Sequence, residues 1–258
     1  MEMLARIGRL GVNFGRAVAK FLGFLASAVY NIFAPPFYPS VLLRQILEIG
    51  FYSLPVVALT SFFAGMVLAV QSYSGFSQFS AGAAVASVVS IAITRELGPV
   101  LAGLMVAGRI GATFAASIGA MRVSEQLEAL TTLSTDPMKY IVAPRVLAGI
   151  LALPFLVFIA NIIGIFGGFV VAVNTLGFSP YGFIRNIYAS VSLYDLWIGI
   201  VKGACFGGLI ASVGCYFGYH ARGGADGVGR ATTNTVVVSA ITILVFNYLI
   251  TAWFFEGV

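Results

Sequence analysis

Residues 94–136 read TRELGPVLAGLMVAGRIGATFAASIGAMRVSEQLEALTTLSTD. An arginine, a glutamate and a Gly-Pro pair head an apolar run, a row of small residues follows, and a polar amphipathic segment closes the stretch. Core packing in a water-soluble domain does not call for this combination, because ionisable side chains in apolar surroundings are costly unless they are paired or face water.

The rest of the chain supplies the setting. Of its 258 residues 60% are hydrophobic and 9% charged, with a mean hydropathy of +1.00. A soluble domain carries about 25% charged residues. Several apolar runs reach the roughly 20 residues that a spanning helix needs, and the alternating pattern of an outer-membrane barrel is missing. The reading is an all-α, polytopic membrane protein forming one domain over residues 1–258. Its net charge of +5 does not argue for nucleic acid, since basic residues in such a chain report orientation. Cys205 and Cys215 are ten residues apart in one apolar run, too far along a helix to bridge.

At the N-terminus Arg6, Arg9, Asn13, Arg16 and Lys20 recur at steps of three and four opposite Leu4, Ile7, Phe14, Val18, Phe21 and Leu25. This spacing predicts a basic amphipathic helix lying in the membrane interface over residues 1–34. The alternative is a signal peptide ending at Ala26-Ser27-Ala28, but only a short apolar stretch separates Lys20 from that site. Pro35, Pro36 and Pro39 then turn the chain.

Five membrane spans are predicted at 46–72, 83–119, 146–173, 196–219 and 233–255. The second is nearly continuous and would measure about 54 Å as one helix against a hydrocarbon core of about 30 Å. Gly98-Pro99 is the expected helix break, because Pro99 cannot bond the carbonyl of Arg95 and its ring pushes against it. With the N-terminus inside, the cytoplasm collects Arg6, Arg9, Arg16, Lys20, Arg44, Arg122, Lys139, Arg145, Arg222 and Arg230, and the outside only Arg185. That asymmetry predicts an N-in, C-out topology with residues 121–137 cytoplasmic.

Arg95, Glu96, Arg109 and Lys202 are the ionisable residues within apolar sequence. They are either structural pairs or functional groups. Arg95 and Lys202 near the carbonyl freed at Gly98-Pro99 would suit an anionic headgroup flanked by apolar walls. The rows Gly103, Ala107, Gly111, Ala115, Gly119 and Gly199, Gly203, Gly207, Ala211 permit close backbone approach, within one subunit or between two. In the polar segment Val123, Leu127 and Leu130 share a face while Glu125, Gln126 and Glu128 stay polar, which fits a solvated helix or a docking helix equally. Asp136-Pro137 reads as a helix cap followed by proline at the first helical position.

The single histidine, the missing HExxH and the missing cysteine cluster argue against a metal site, and no nucleophile-base set is visible. The glycine-rich loop 223–229 lacks the Lys-Ser/Thr of a phosphate-cradling loop, so an ATPase would be a separate polypeptide. A membrane-embedded lipid-processing enzyme using Glu96 is one rival reading, and it lacks a nucleophile or metal. An ion-coupled carrier is another, without the internal repeat many carriers show.

RELGPVLAGLMVAGRIGATFAASIGAMRVSEQLEAL (95–130) resembles the signature of the MlaE/YrbE permease family. The resemblance extends to MVLAVQSYSGF (66–76), STDP (134–137), APRVLAG (143–149) and GVGRATTNTVV (227–237). It implies a subunit of an ATP-driven ABC transporter moving phospholipid or a related lipid between the bacterial inner membrane and the outer envelope. It further implies a homodimer, two cytoplasmic ATPase subunits carrying the ATP and Mg, an MCE-domain substrate-binding protein, and a small STAS-type accessory subunit. By the same resemblance Arg95, Glu96, Lys202, Leu68, Phe76 and Phe79 contact the lipid. Arg122, Glu125, Gln126, Leu127, Glu128 and Leu130 would form the helix that couples to the ATPase.

Overall fold

The computed structural model describes residues 2–76 and 84–255, with side chains at 12 and from 15 to 254 within those ranges. Every regular element among them is helical. In chain order these are α1 (Glu2–Phe33), α2 (Pro39–Phe76), α3 (Ala84–Val123), α4 (Gln126–Thr132), α5 (Met138–Asn174), α6 (Pro180–Ser190), α7 (Leu193–Tyr219) and α8 (Gly224–Phe255). Gly15–Phe33, α2, α3, α5, α7 and Gly224–Phe254 are six helices long and apolar enough to cross a membrane.

The sixth is the second half of α1, which the sequence assigns to an interfacial helix. Its cations stop at Lys20, and beyond that point Phe24 and Ala28 are buried against the bundle, where Phe24 stacks edge-on against Tyr216. The other spans outrun their expected bounds because backbone hydrogen bonding continues past the apolar stretch that hydropathy detects. The glycine-rich loop expected at 223–229, between the spans 196–219 and 233–255, is thus confined to the turn at its start, where Gly223 and Gly224 take positive φ of 91° and 66°. The residues that follow are the first turns of α8.

Helix ends follow local chemistry. Ser192 and Asp195 cap α7 reciprocally, and Asp136 Oδ1 accepts from the Met138 amide at 2.9 Å, with Pro137 in the first helical position as expected. The helices alternate in direction, so the bundle has two ends. One holds the start of α2, the end of α3, α4, the start of α5 and the α7–α8 turn, and with them Arg44, Arg122, Lys139, Arg145, Arg222 and Arg230. The other holds α6 and Arg185.

Packing centres on α5, which lies between α2 and α7, while α3 and α8 close on α7. Small residues set the contacts. A Cβ on Gly65 would lie 1.9 Å from the Gly164 carbonyl oxygen, and one on Gly207 would lie 2.0 Å from that of Gly149. Neither backbone can retreat without moving a whole helix. Gly203, Gly207 and Ala211 of the α7 row therefore face α5, while Gly199 lies closest to the Thr94 carbonyl of α3, and the row from Gly103 to Gly119 faces α7 and α8, where Gly214 approaches the Gly111 carbonyl. Both rows serve packing within the subunit. Gly108, on the adjoining row, has open space where a Cβ would sit.

Gly207→Ala should therefore destabilise the purified protein by about 1–3 kcal/mol, the usual cost of overpacking. Gly108→Ala should be neutral or stabilising by up to about 1 kcal/mol through helix propensity. Thermal unfolding of both variants in detergent checks the contrast, and equal shifts would contradict the packing assignment.

Candidate functional site

Pro99 has no N–H, so the carbonyl of Arg95 has no partner in a regular helix. The sequence places a break here, and the structure corrects it. The chain stays helical by widening into a π turn over Ile93–Leu97, in which the amide of Gly98 bonds the carbonyl of Ile93. Such turns widen a helix by one residue without ending it. The backbone runs on as α-helix from Gly98 to Val106, passes a second π turn at Ala107–Gly111 and continues to Val123.

The Arg95 carbonyl finds its donor on another helix. Lys202 Nζ, from α7, lies 2.7 Å from it, 2.9 Å from Glu96 Oε1 and 2.8 Å from Thr251 Oγ1 of α8. An ammonium has three protons, and these acceptors use all of them. This lets the Lys202 side chain sit at 0% exposure, which an unpaired charge would not tolerate. The sequence reading sets Lys202 near this carbonyl as part of a cationic pair for a headgroup; in the structure its ammonium bonds the carbonyl itself.

Arg95 and Glu96 are both anchored within the protein and both partly exposed. Arg95 Nε donates to Asp195 Oδ1 at 2.7 Å, and Asp195, itself 1% exposed, accepts from the Ser192 amide and hydroxyl at 2.9 Å each. Glu96 Oε2 accepts from Asn247 Nδ2 at 2.7 Å, and Thr251 Oγ1 lies 2.9 Å from Glu96 Oε1. The side chains of Arg95 and Glu96 nevertheless remain 34% and 37% exposed. Two cations and two carboxylates thus form one neutral network across α3, α7 and α8, with the charged tips of α3 presented outward. On the far side α5 seats tightly: a Cβ on Gly98 would lie 1.8 Å from Asn161 Oδ1 and 2.9 Å from the Ile93 carbonyl oxygen, so a larger residue would have to displace both.

Leu68 and Phe76 join the apolar cluster of Val85, Val89 and Ile93 that adjoins the π turn, whereas Phe79 lies outside the described residues. Arg109 stands apart from the network. Its Nη1 donates to Ser53 Oγ at 2.8 Å and to the Glu48 carbonyl at 3.3 Å, tying α3 to α2. The sequence reading names the charged members Arg95, Glu96 and Lys202 but passes over Asp195, Ser192, Asn247 and Thr251. Two signals point to them: the capping spacing Ser192-x-x-Asp195, and polar residues four apart in the last span.

At the opposite end, the segment read as one cytoplasmic helix over 121–137 divides in three. α3 ends at Val123, Glu125 turns the chain with a positive φ of 59°, and α4 spans Gln126–Thr132 before an irregular stretch leads to α5. A left-handed residue cannot continue a helix, which is why the elements separate. Leu127 is buried and Leu130 packs on the main core, leaving Glu125, Gln126 and Glu128 exposed. Arg122 pairs with Glu128 across the turn and its guanidinium lies 6.0 Å from the ring of Tyr219. Among the described residues no group of three His, Cys, Asp or Glu side chains is placed to hold a metal. The site offers recognition and charge placement in an apolar setting.

Comparison with known proteins agrees with this architecture. The family model described as Permease MlaE matches residues 42–253. A protein of Rickettsia felis named a probable ABC transporter permease protein is 52% identical over 250 residues, covering 97% of this chain and 96% of its own. The intermembrane phospholipid transport system permease protein MlaE of Haemophilus influenzae is 32% identical over 256 residues, covering 99% and 98%. The chloroplastic protein TRIGALACTOSYLDIACYLGLYCEROL 1 of Arabidopsis thaliana is 35% identical over 215 residues, covering 83% of this chain and 61% of its own. The chain belongs to the MlaE permease family, as a multi-pass membrane permease subunit of an ABC transporter.

Proposed function

We propose that the chain moves phospholipid or a closely related lipid between the bacterial inner membrane and the outer envelope, with the Arg95–Glu96 pair as the headgroup contact. The observation that carries this reading is the half-exposed guanidinium and carboxylate, fixed from behind by Asp195, Lys202, Asn247 and Thr251 and bordered by the Leu68 and Phe76 cluster. A phosphate pairs well with an arginine already oriented by a buried carboxylate. Lys202, whose protons are all engaged within the protein, acts by holding Glu96 and the Arg95 carbonyl in place.

The reading includes a homodimer. α8 turns a narrow stripe of Gly227, Ala231, Thr235, Ser239 and Ile243 toward the bundle and exposes Val237, Ile241, Leu244 and Tyr248, a face open to lipid or to a second copy. The gathering of basic residues at the end bearing α4 supports a cytoplasmic position for that end. Two ATPase subunits carrying ATP and Mg would dock on α4, an MCE-domain protein would meet the opposite end, and a STAS-type subunit would accompany the ATPase. The name of the Haemophilus influenzae relative supports phospholipid as the cargo.

Two outcomes follow. Arg95→Ala should lower photo-crosslinked phospholipid at the site by roughly tenfold, the scale of one lost charge-assisted hydrogen bond. Full occupancy in that variant would overturn the headgroup assignment. Glu125→Lys combined with Glu128→Lys should abolish copurification of the ATPase subunits while leaving bound lipid in place. Undiminished copurification would overturn the docking of α4.

A further inference from the structure

Where the start of α2, the end of α3 and the start of α5 meet, a cavity of about 510 Å³ is lined by side chains of both charges. Arg44 and Glu48 reach it from α2, Thr113 and Ser117 from α3, and Arg145 from α5. Gln45 lines it too, at only 8% exposure, and its Oε1 has no hydrogen-bond partner among the described residues. Neither has Arg145 Nε. The remainder of Arg145 is held in place, with Nη1 donating to the Ile141 carbonyl at 3.2 Å and its guanidinium 5.3 Å from the ring of Phe114. Buried polar groups ordinarily find partners, so the Nε of an otherwise fixed guanidinium and the oxygen of a buried amide, both lacking one among the described residues, mark a place where ligand atoms belong.

The charges specify the ligand. Two guanidiniums against one carboxylate leave a net positive cavity in which a simple anion would also face Glu48. A group carrying a phosphate for Arg44 and Arg145 and a primary ammonium for Glu48 uses all three. One turn further into the bundle, Phe51 and Tyr52 are exposed on α2, and the space beside Gly108 on α3 is open. That gives acyl chains an aromatic wall beside the polar cavity, with the Arg109 guanidinium, which donates to the Glu48 carbonyl and lies 5.9 Å from the Tyr52 ring, at the junction. Basic clefts between spanning helices at the membrane surface are a recognised form of headgroup site.

We propose that this cavity binds the phosphate and ammonium of an ethanolamine phospholipid, as a second lipid position at the basic end of the bundle. It is separate from the Arg95 network: Arg95 and Thr113 are 18 residues apart on α3, about 27 Å at helical rise. A phosphate-ammonium group could come from a lipid or from its water-soluble headgroup, and the test separates the two.

The full chain, with a photo-crosslinking benzoylphenylalanine at position 113, is placed in phosphatidylcholine nanodiscs doped with phosphatidylethanolamine or phosphatidylglycerol. Crosslinked lipid is then identified by mass spectrometry. The ethanolamine lipid should crosslink in preference to the glycerol lipid. Arg44→Gln, on an exposed side chain that leaves the packing intact, should reduce that product by about tenfold. Glu48→Gln should erase the preference while crosslinking to phosphatidylglycerol persists. Excess glycerophosphoethanolamine in the buffer should leave the product unchanged. Equal crosslinking in Arg44→Gln, a preference unaffected by Glu48→Gln, or displacement by the soluble headgroup would each overturn the proposal. The readout is lipid at position 113, so its failure would leave the Arg95 assignment standing.

Discussion

A single missing proton organises the interior of this protein. Pro99 leaves the Arg95 carbonyl without a helical donor, and the chain meets the deficit with the ammonium of Lys202 brought in from α7. Burying that ammonium creates a second demand, met by Glu96 and Thr251, and Glu96 in turn draws in Asn247. The arrangement locks three helices together at the level where the charged face of α3 is exposed. Removing any one buried partner leaves a charge or a carbonyl without compensation, and such losses are large away from water.

Close helix packing makes the network possible. Lys202 reaches α3 because α7 lies against it, with Gly199 close under the Thr94 carbonyl of α3 and Gly203 against Pro154 of α5. Asn161 presses on Gly98 from α5, and the glycine contacts of α5 with α2 and α7 hold that helix at a distance no larger residue permits. The polar site is thus an outcome of backbone approach along whole helices. At the far end of α3, Arg109 ties α3 to α2, and Arg145 beside Phe114 borders the second, basic cavity. The long helix α3 therefore carries a polar site near each end, and the short α4 follows directly from the basic one.

Much of this was legible in the sequence. Arg95, Glu96 and Lys202 stand out because charge inside an apolar run demands an explanation, and Pro99 identifies the carbonyl they gather around. Asn247 and Thr251 did not stand out, since uncharged polar residues are common in spanning helices and only the fold shows which of them face a carboxylate. Asp195 was hidden in a serine-rich stretch, although its spacing from Ser192 spells a helix cap. The π turn at Ile93–Leu97 was beyond local reading. A proline marks an unpaired carbonyl, but whether the chain breaks or widens depends on a donor 107 residues away. The division at Glu125 escaped for a similar reason, because its left-handed conformation answers to the burial of Leu127 and Leu130 and to no glycine in the sequence.

The central claim is that the Pro99-freed carbonyl and Lys202 form one unit that holds the headgroup contact in place. A double-mutant cycle on phospholipid transfer by the reconstituted complex tests it most directly, using Pro99→Ala, Lys202→Met and the pair. Alanine at position 99 restores an amide that can bond the Arg95 carbonyl, so the account predicts that the pair transfers lipid better than Lys202→Met alone. Losses that simply add, with no recovery in the pair, would contradict it.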